Sequence, residues 1–124
     1  MANRYPLVLN GTSIQELQSS DSLLAINPVV TNYTETTYTA NTGSAITISL
    51  SNGTVQSLTA NASTTITLPA STSGKSFVLI VNYAGAYTVS WAGGTTIKWP
   101  ANTTPTATST SGKYDIFTFF QDGT

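Results

Sequence analysis

The chain has 124 residues, of which 24 are threonine and 15 are serine, with four basic and five acidic side chains. A net charge of −1 argues against nucleic acid as a partner, because phosphate binding needs clustered lysine and arginine. The absence of histidine and cysteine excludes a His-based catalytic triad, a disulfide framework and a thiolate metal site.

The first 24 residues are predicted to form an attachment arm that contains a β-hairpin. Tyr5–Leu9 is a short apolar strand, Asn10-Gly11 is a strong hairpin turn signal, and Ile14–Leu17 is the return strand. A two-stranded hairpin is marginally stable alone in water, so the arm must dock on another surface. The apolar side chains expected to make this contact are those of Tyr5, Leu7, Leu9, Ile14 and Leu17.

Residues 25–124 are predicted to form a single β body. Residues 25–44 are threonine-rich and indicate an edge strand or an extended connection. Short strands bounded by turn residues then follow at Ala45–Leu50, Val55–Leu58, Thr64–Leu68, Ser76–Tyr83, Tyr87–Trp91, Thr95–Trp99 and Tyr114–Gln121. Strands at this spacing, with no helical segment, predict an all-β fold with a β-sandwich or jelly-roll-like body.

Two strands carry more specific expectations. Ser76–Tyr83 is apolar on both faces, which is typical of a central strand covered on both sides. In Tyr114–Gln121 the residues Ile116 and Phe120 alternate with Phe117 and Phe119, and Asp115 is expected to point outward.

The aromatic side chains allow two interpretations. Tyr83, Tyr87, Trp91 and Trp99 cluster around two turns, which would suit a sugar-stacking platform. Tryptophans on adjacent strands of a small β domain also serve as core or as subunit interface. We favour the second interpretation and expect packing in the core or between subunits for Trp91, Trp99, Phe117 and Phe119.

Catalysis finds little support in the remaining side chains. Asp115 and Asp122 are the one pair of carboxylates that could lie close together, and a glycosidase needs such a pair roughly 5–9.5 Å apart. Asp122-Gly123 is also ordinary turn chemistry. We therefore expect a protein that is not an enzyme, with no catalytic, cofactor-binding or metal-binding residues.

Two stretches carry a resemblance to a known group. The first is MANRYPLVLNGTSIQEL at residues 1–17, and the second is residues 64–124, which contain TTITLPASTSGKSFVLIVNYAG, YTVSWAGGTTIKWP and SGKYDIFTFFQDGT in that order. Both resemble virion structural proteins of bacteriophages, especially those of cyanophages and related marine phages. Such domains often continue beyond the Asp-Gly-Thr, which leaves open whether the chain is complete at Thr124.

The resemblance implies a structural role in the virion. The first expectation is a capsid decoration (cement) protein, a homotrimer that binds the major capsid protein or another virion protein on the outer surface of the particle. The alternative is a tail or head fibre component that contributes to host attachment, with a host surface glycan as a possible partner. A carbohydrate-binding module or a polysaccharide hydrolase is the third reading. Synthesis in the host cytoplasm and no membrane insertion are expected, since no apolar run approaches the roughly 20 residues of a spanning helix.

Overall fold

The computed structural model describes residues 7–10, 12–16, 27–93 and 97–123 of the chain. It divides into two compact units, Met1–Tyr33 and Thr34–Thr124. The sequence places the boundary between arm and body earlier, after residue 24.

The N-terminal unit contains one antiparallel hairpin. Strand β1 is Leu7–Asn10 and strand β2 is Ser13–Glu16, with Leu9 opposite Ile14 in the register. Each strand of this two-stranded sheet therefore has one edge that the other strand does not pair. Residues 27–36 form no regular strand, although the sequence favours extended structure there. Three predicted positions, Tyr5, Gly11 and Leu17, lie outside the described residues.

In its described residues the second unit contains seven strands and two short 3-10 turns. The strands are β3 Thr37–Asn41, β4 Ala45–Thr47, β5 Val55–Ala60, β6 Thr64–Leu68, β7 Lys75–Tyr83, β8 Val89–Gly93 and β9 Tyr114–Gln121. They form a four-stranded sheet in the order β3-β5-β7-β9 and a three-stranded sheet in the order β4-β6-β8. The 3-10 turns are Leu50–Asn52 and Pro100–Asn102.

Successive strands alternate between the two sheets, so that the chain from β3 to β8 makes three coils. Each coil contributes one strand to each sheet, and β3, β5 and β7 pair in parallel, as do β4, β6 and β8. The corners stack on one another through backbone bonds: the amide of Thr42 donates to the carbonyl of Thr59 at 3.0 Å, and that of Ala84 to Ala60 at 3.0 Å. This is the pairing pattern of a short β-solenoid. Strand β9 then turns back and pairs antiparallel with β7.

The all-β prediction is confirmed, whereas the sandwich or jelly-roll-like architecture is not. Jelly rolls and immunoglobulin-type sandwiches are built from antiparallel strands. Here the antiparallel pairs among the described strands are β1–β2 and β7–β9. Between β3 and β8 the turns carry the chain across to the other sheet and do not close hairpins within one sheet.

One apolar core joins the two sheets. The largest fully buried apolar side chains are Leu58 of β5, Ile66 of β6, and Leu79 and Val81 of β7. They belong to one cluster that also includes Ile48, Ala60, Leu68, Phe77 and Tyr83. The inward faces of both sheets therefore bury against each other.

Strand β7 is central in its sheet, as predicted, but it is not fully covered on both faces. Its inward residues are buried, whereas Val78 and Ile80 on the opposite face are only half-buried. The apolar outer face of β7 thus remains partly open to solvent.

The predicted strand Thr95–Trp99 is not found in its described part, since Ile97–Trp99 has no strand structure. Thr95 and Thr96 lie outside the described residues.

Candidate functional site

Strand β9 separates two kinds of side chain. Ile116 and Phe120 point to the outer face of the sheet and are 58% and 70% exposed. Phe117 and Phe119 point inward and pack against the core. This alternation agrees with the predicted pattern of the last strand, and it leaves β9 apolar on both faces.

The four aromatic residues predicted to pack in the core or between subunits lie together. The ring centroid of Trp91 is 5.3 Å from Trp99 and 4.9 Å from Phe117, both edge-on, and Trp99 is 5.9 Å from Phe119. Phe77 of β7 stacks on Phe119 at 5.0 Å. The cluster joins β8, β9 and the segment after β8 through edge-to-face contacts of the kind that aromatic rings prefer.

The two tyrosines of the suggested sugar platform, Tyr83 and Tyr87, are not part of this ring cluster. Tyr83 is buried in the core cluster, and Tyr87 packs against that cluster. Among the described residues no ring contact joins either tyrosine to Trp91 or Trp99. The platform of four rings suggested by the sequence is therefore not assembled.

A cleft of about 410 Å³ runs beside β9. One side is formed by the consecutive residues Ile116–Asp122, and the other by residues 97–100 with Pro105. At its rim the ammonium group of Lys98 lies 2.7 Å from a carboxylate oxygen of Asp122, in an exposed ion pair. The walls near Trp99 are apolar and aromatic, and the cleft follows the length of a strand.

The backbone of β9 has one free edge, and that edge faces away from β7. The amide of Tyr83 donates to the carbonyl of Lys113 at 2.9 Å, so Tyr83 and Lys113 form a hydrogen-bonded pair. In the register of β7 and β9, the odd-numbered residues of β9 therefore form the backbone hydrogen bonds to β7. In an antiparallel pair such bonding alternates along the strand. The amide and carbonyl groups of Ile116, Thr118 and Phe120 therefore point to the free edge, and no backbone bond from the described residues 97–110 reaches them.

Asp115 departs from its prediction. It is half-buried on the inward face of β9, where its Oδ2 accepts hydrogen bonds from the Tyr83 hydroxyl and the Thr108 amide, both at 2.8 Å. The Thr108 hydroxyl donates to Oδ1. Alternation suggested an outward carboxylate, but these three donors make the inward position tolerable.

These contacts shift the two titrating groups in opposite directions. Burial alone raises the pKa of Asp115, but the hydrogen bonds from Thr108 and Tyr83 outweigh it and hold that pKa below its usual value. Burial, with the bonded Asp115 carboxylate, raises the pKa of Tyr83 above its ordinary range. The pair is structural, because it ties the loop before β9 to the core.

We expect stability to fall in acid in a way that depends on Asp115. A carboxyl group whose pKa is lower in the folded than in the unfolded state stabilises the folded protein at pH values above its unfolded pKa. That contribution is lost as the pH falls through the folded pKa. Urea unfolding between pH 7 and pH 2 should show this loss, and Asp115→Asn should flatten it. The exposed Glu35 gives a matched control, so a Glu35→Gln variant that flattened the curve equally would contradict this assignment.

The two candidate catalytic carboxylates stand at opposite ends of β9. Asp115 is the second residue of the strand and Asp122 follows its last residue, so seven steps along the backbone separate them, roughly 23 Å at the usual rise per residue. That distance is well beyond the spacing of a glycosidase pair. Among the described residues no group of three acidic side chains is placed to hold a metal ion, and none of their helices is long and apolar enough to cross a membrane.

The residues predicted for attachment are partly described. Leu7 and Ile14 are 68% and 72% exposed in the hairpin, and Leu9 lies opposite Ile14 in the register. Tyr5 and Leu17 lie outside the described residues. The sequence did not suggest the cleft or the free main-chain groups of Ile116, Thr118 and Phe120, although an unusually apolar last strand could have indicated an exposed sheet edge.

Comparison of the chain with known protein families, with curated proteins and with solved structures finds no match. The features that bear on function are the cleft, the free edge of β9 and the exposed apolar residues of the N-terminal hairpin. Each of these features is suited to binding another chain.

Proposed function

We propose that this chain is a non-enzymatic structural protein of a bacteriophage virion, namely a capsid decoration (cement) protein. It binds the major capsid protein or another virion protein on the outer surface of the particle and stabilises that surface as a homotrimer. The resemblance of residues 1–17 and 64–124 to virion proteins supports this assignment to phage. The structure supports the binding role independently.

The observation that carries the proposal is the exposure of apolar side chains in the N-terminal unit. Of the eight exposed large apolar side chains in the described part of the chain, five lie within Met1–Tyr33: Leu7, Ile14, Val29, Val30 and Tyr33. Large apolar side chains that remain exposed are a feature of surfaces that bind another protein. Leu7 and Ile14 belong to the predicted arm of residues 1–24, and their exposure supports the attachment role proposed for that arm.

A cement protein needs only buried area and hydrogen bonds, which this fold supplies. A specific contact buries roughly 1,200–2,000 Å² in total, and symmetry-related contacts add through avidity. A hairpin with free edges can also extend a sheet of its partner through main-chain bonds. The two face-to-face sheets of the second unit, sandwich-like in their layers, then form the body of the decoration protein.

The alternative is a tail or head fibre component that takes part in host attachment. The observation in its favour is the cleft beside β9, whose wall includes Trp99 and whose rim carries Lys98 and Asp122. Stacking on an aromatic side chain with polar groups nearby is how proteins bind sugars. Copy number separates the two roles, since hundreds of copies per particle indicate cement and tens or fewer indicate a fibre. Glycan binding by the isolated protein would favour a carbohydrate-binding role.

The proposal is tested by heating particles with and without the protein. Decorated capsids should survive to a higher temperature than undecorated ones, and a chain that lacks residues 1–24 should neither bind nor protect. Circular dichroism of the shortened chain serves as the control for folding of the body. Equal stability of decorated and undecorated capsids would refute the cement role, and full decoration by the shortened chain would refute the role of the arm.

A further inference from the structure

The two edge strands of the four-stranded sheet differ in the polarity of their outer faces. At one end, β3 presents the polar residues Thr37, Thr39 and Asn41 on the outer face. At the other end, β9 presents Ile116 and Phe120 and contains neither lysine nor proline. Natural proteins block exposed edges with charge, proline or bulges, because an unblocked edge pairs with another chain. The edge of β9 is not blocked in this way.

The cleft beside this edge fits an extended strand. The free amides and carbonyls of Ile116, Thr118 and Phe120 provide a row of main-chain donors and acceptors along its length. Apolar side chains lie on both sides of that row, with Phe117 and Phe119 inward. A strand that is apolar on both faces would therefore bury all of its side chains on joining the sheet.

Strand β1 has these properties. Its sequence begins Leu7-Val8-Leu9, with apolar residues at three successive positions and no charge. One edge of β1 pairs with β2, and the other edge has no partner among the described strands. Leu7 is exposed to solvent although it is one of the large apolar side chains of the unit. An open apolar strand and an open apolar edge thus occur in the same polypeptide.

We propose that β1 of one copy joins the free edge of β9 in a second copy and fills the cleft there. Each copy then gives one strand and accepts one, which is a heterologous contact that closes into a ring when the rotation permits. A second copy is favoured over an acidic or basic partner because neither β1 nor the stretch Ile116–Gln121 carries a charge, and the chain has a net charge of only −1. The outer edge of β2 stays available for a virion partner.

The contact is tested by sedimentation analysis of the full-length protein in solution, without particles. The wild type should be an oligomer. Thr118→Pro removes an amide that points to the free edge and is not bonded to β7, so self-association should weaken by about tenfold or more. Leu7→Asp places a charge in β1 and should have the same effect. Thr118→Val keeps the amide and the branched shape, and should assemble like the wild type.

Mixing the two defective variants distinguishes this contact from other modes of assembly. Thr118→Pro retains an intact β1, and Leu7→Asp retains an intact edge, so together they can form one contact and should yield a heterodimer. Pairing of β9 with β9 of a partner would give no such rescue, and a mixture that stays monomeric overturns the proposal. A monomeric wild type, or a Thr118→Pro variant that assembles normally, also overturns it.

Folding is controlled by thermal unfolding of each variant. Asn52→Asp places the same charge at an exposed residue of the second unit, outside β9 and the cleft, and should leave assembly unchanged. If Thr118→Pro does not fold, Ile116→Lys blocks the edge by charge and carries the same expectation. The result does not depend on the virion role, because decoration of particles is measured separately.

Discussion

Replacement of Gly53 by alanine is expected to destabilise the protein by about 3 kcal/mol or more. Gly53 has φ +135°, a backbone conformation that residues with a side chain rarely adopt. An added Cβ would also overlap the backbone carbonyl oxygen of Thr36 and lie 2.9 Å from the carbonyl carbon. The same carbonyl accepts the Val55 amide at 3.4 Å, at the start of the β3–β5 pairing. Urea unfolding followed by circular dichroism measures the loss.

The turn around Gly53 has little freedom to relieve this clash. The buried side-chain amide of Gln56 donates to the Gly53 carbonyl at 2.6 Å and to the Ser49 carbonyl at 3.2 Å. A shift of Gly53 would therefore break bonds inside the protein, where an unpaired polar group is costly.

Gly112 provides the matched control for this substitution. It also has positive φ, +73°, but a Cβ built on it meets nothing within 4 Å. Gly112→Ala should cost only the conformational penalty of about 1 kcal/mol. If the two alanine variants lost equal stability, the overlap with Thr36 would not be the cause.

Strand positions were largely predictable because the hydrophobic pattern depends on local alternation. The buried residues Ile66 and Leu68 alternate with threonines in β6. In β7 the buried Phe77, Leu79 and Val81 alternate with residues that are half-buried or exposed. Pleating places alternate side chains on opposite faces whichever strand lies alongside. The all-β class follows from this pattern without knowledge of any partner.

Pairing between strands was not predictable from the same pattern. A turn residue shows where the chain bends, but not whether the next strand returns beside the first or crosses to another sheet. The coils also differ in length, since Thr37 pairs with Val55 and Val55 with Val78. Without a constant period the sequence shows no repeat from which a solenoid could be inferred.

The candidate site shows the same division between local and tertiary information. The ring cluster could be anticipated because large aromatic side chains in a small domain pack together, and Trp91, Trp99, Phe117 and Phe119 do so. The inward position of Asp115 could not be anticipated, because it depends on donors elsewhere in the chain. Tyr83 lies 32 residues before Asp115 and Thr108 seven residues before it. The free edge of β9 likewise depends on which strand ends the sheet.

Replacement of Trp91 by alanine is expected to cost about 3 kcal/mol, toward the lower end for aromatic truncations because the side chain is half-buried. Its ring contacts Trp99, Phe117 and Phe119, so truncation leaves a void where β8 meets β9. Trp91→Phe should lose much less, because a ring remains to pack in the same place. The near-ultraviolet circular dichroism of the two tryptophans, 5.3 Å apart, should weaken in both variants.

Tyr114 supplies the control, since it is an exposed aromatic residue on β9 outside the ring cluster. Tyr114→Ala should change stability by less than about 0.5 kcal/mol.

The dependence on protein concentration distinguishes core packing from subunit packing for Trp91. Packing within one chain predicts that the loss caused by Trp91→Ala is the same at every protein concentration, whereas packing between subunits makes it concentration-dependent. Because Trp91 contacts Trp99, Phe117 and Phe119 of its own chain, we expect the loss to be independent of concentration, and a dependence would show that a second subunit takes part in the cluster.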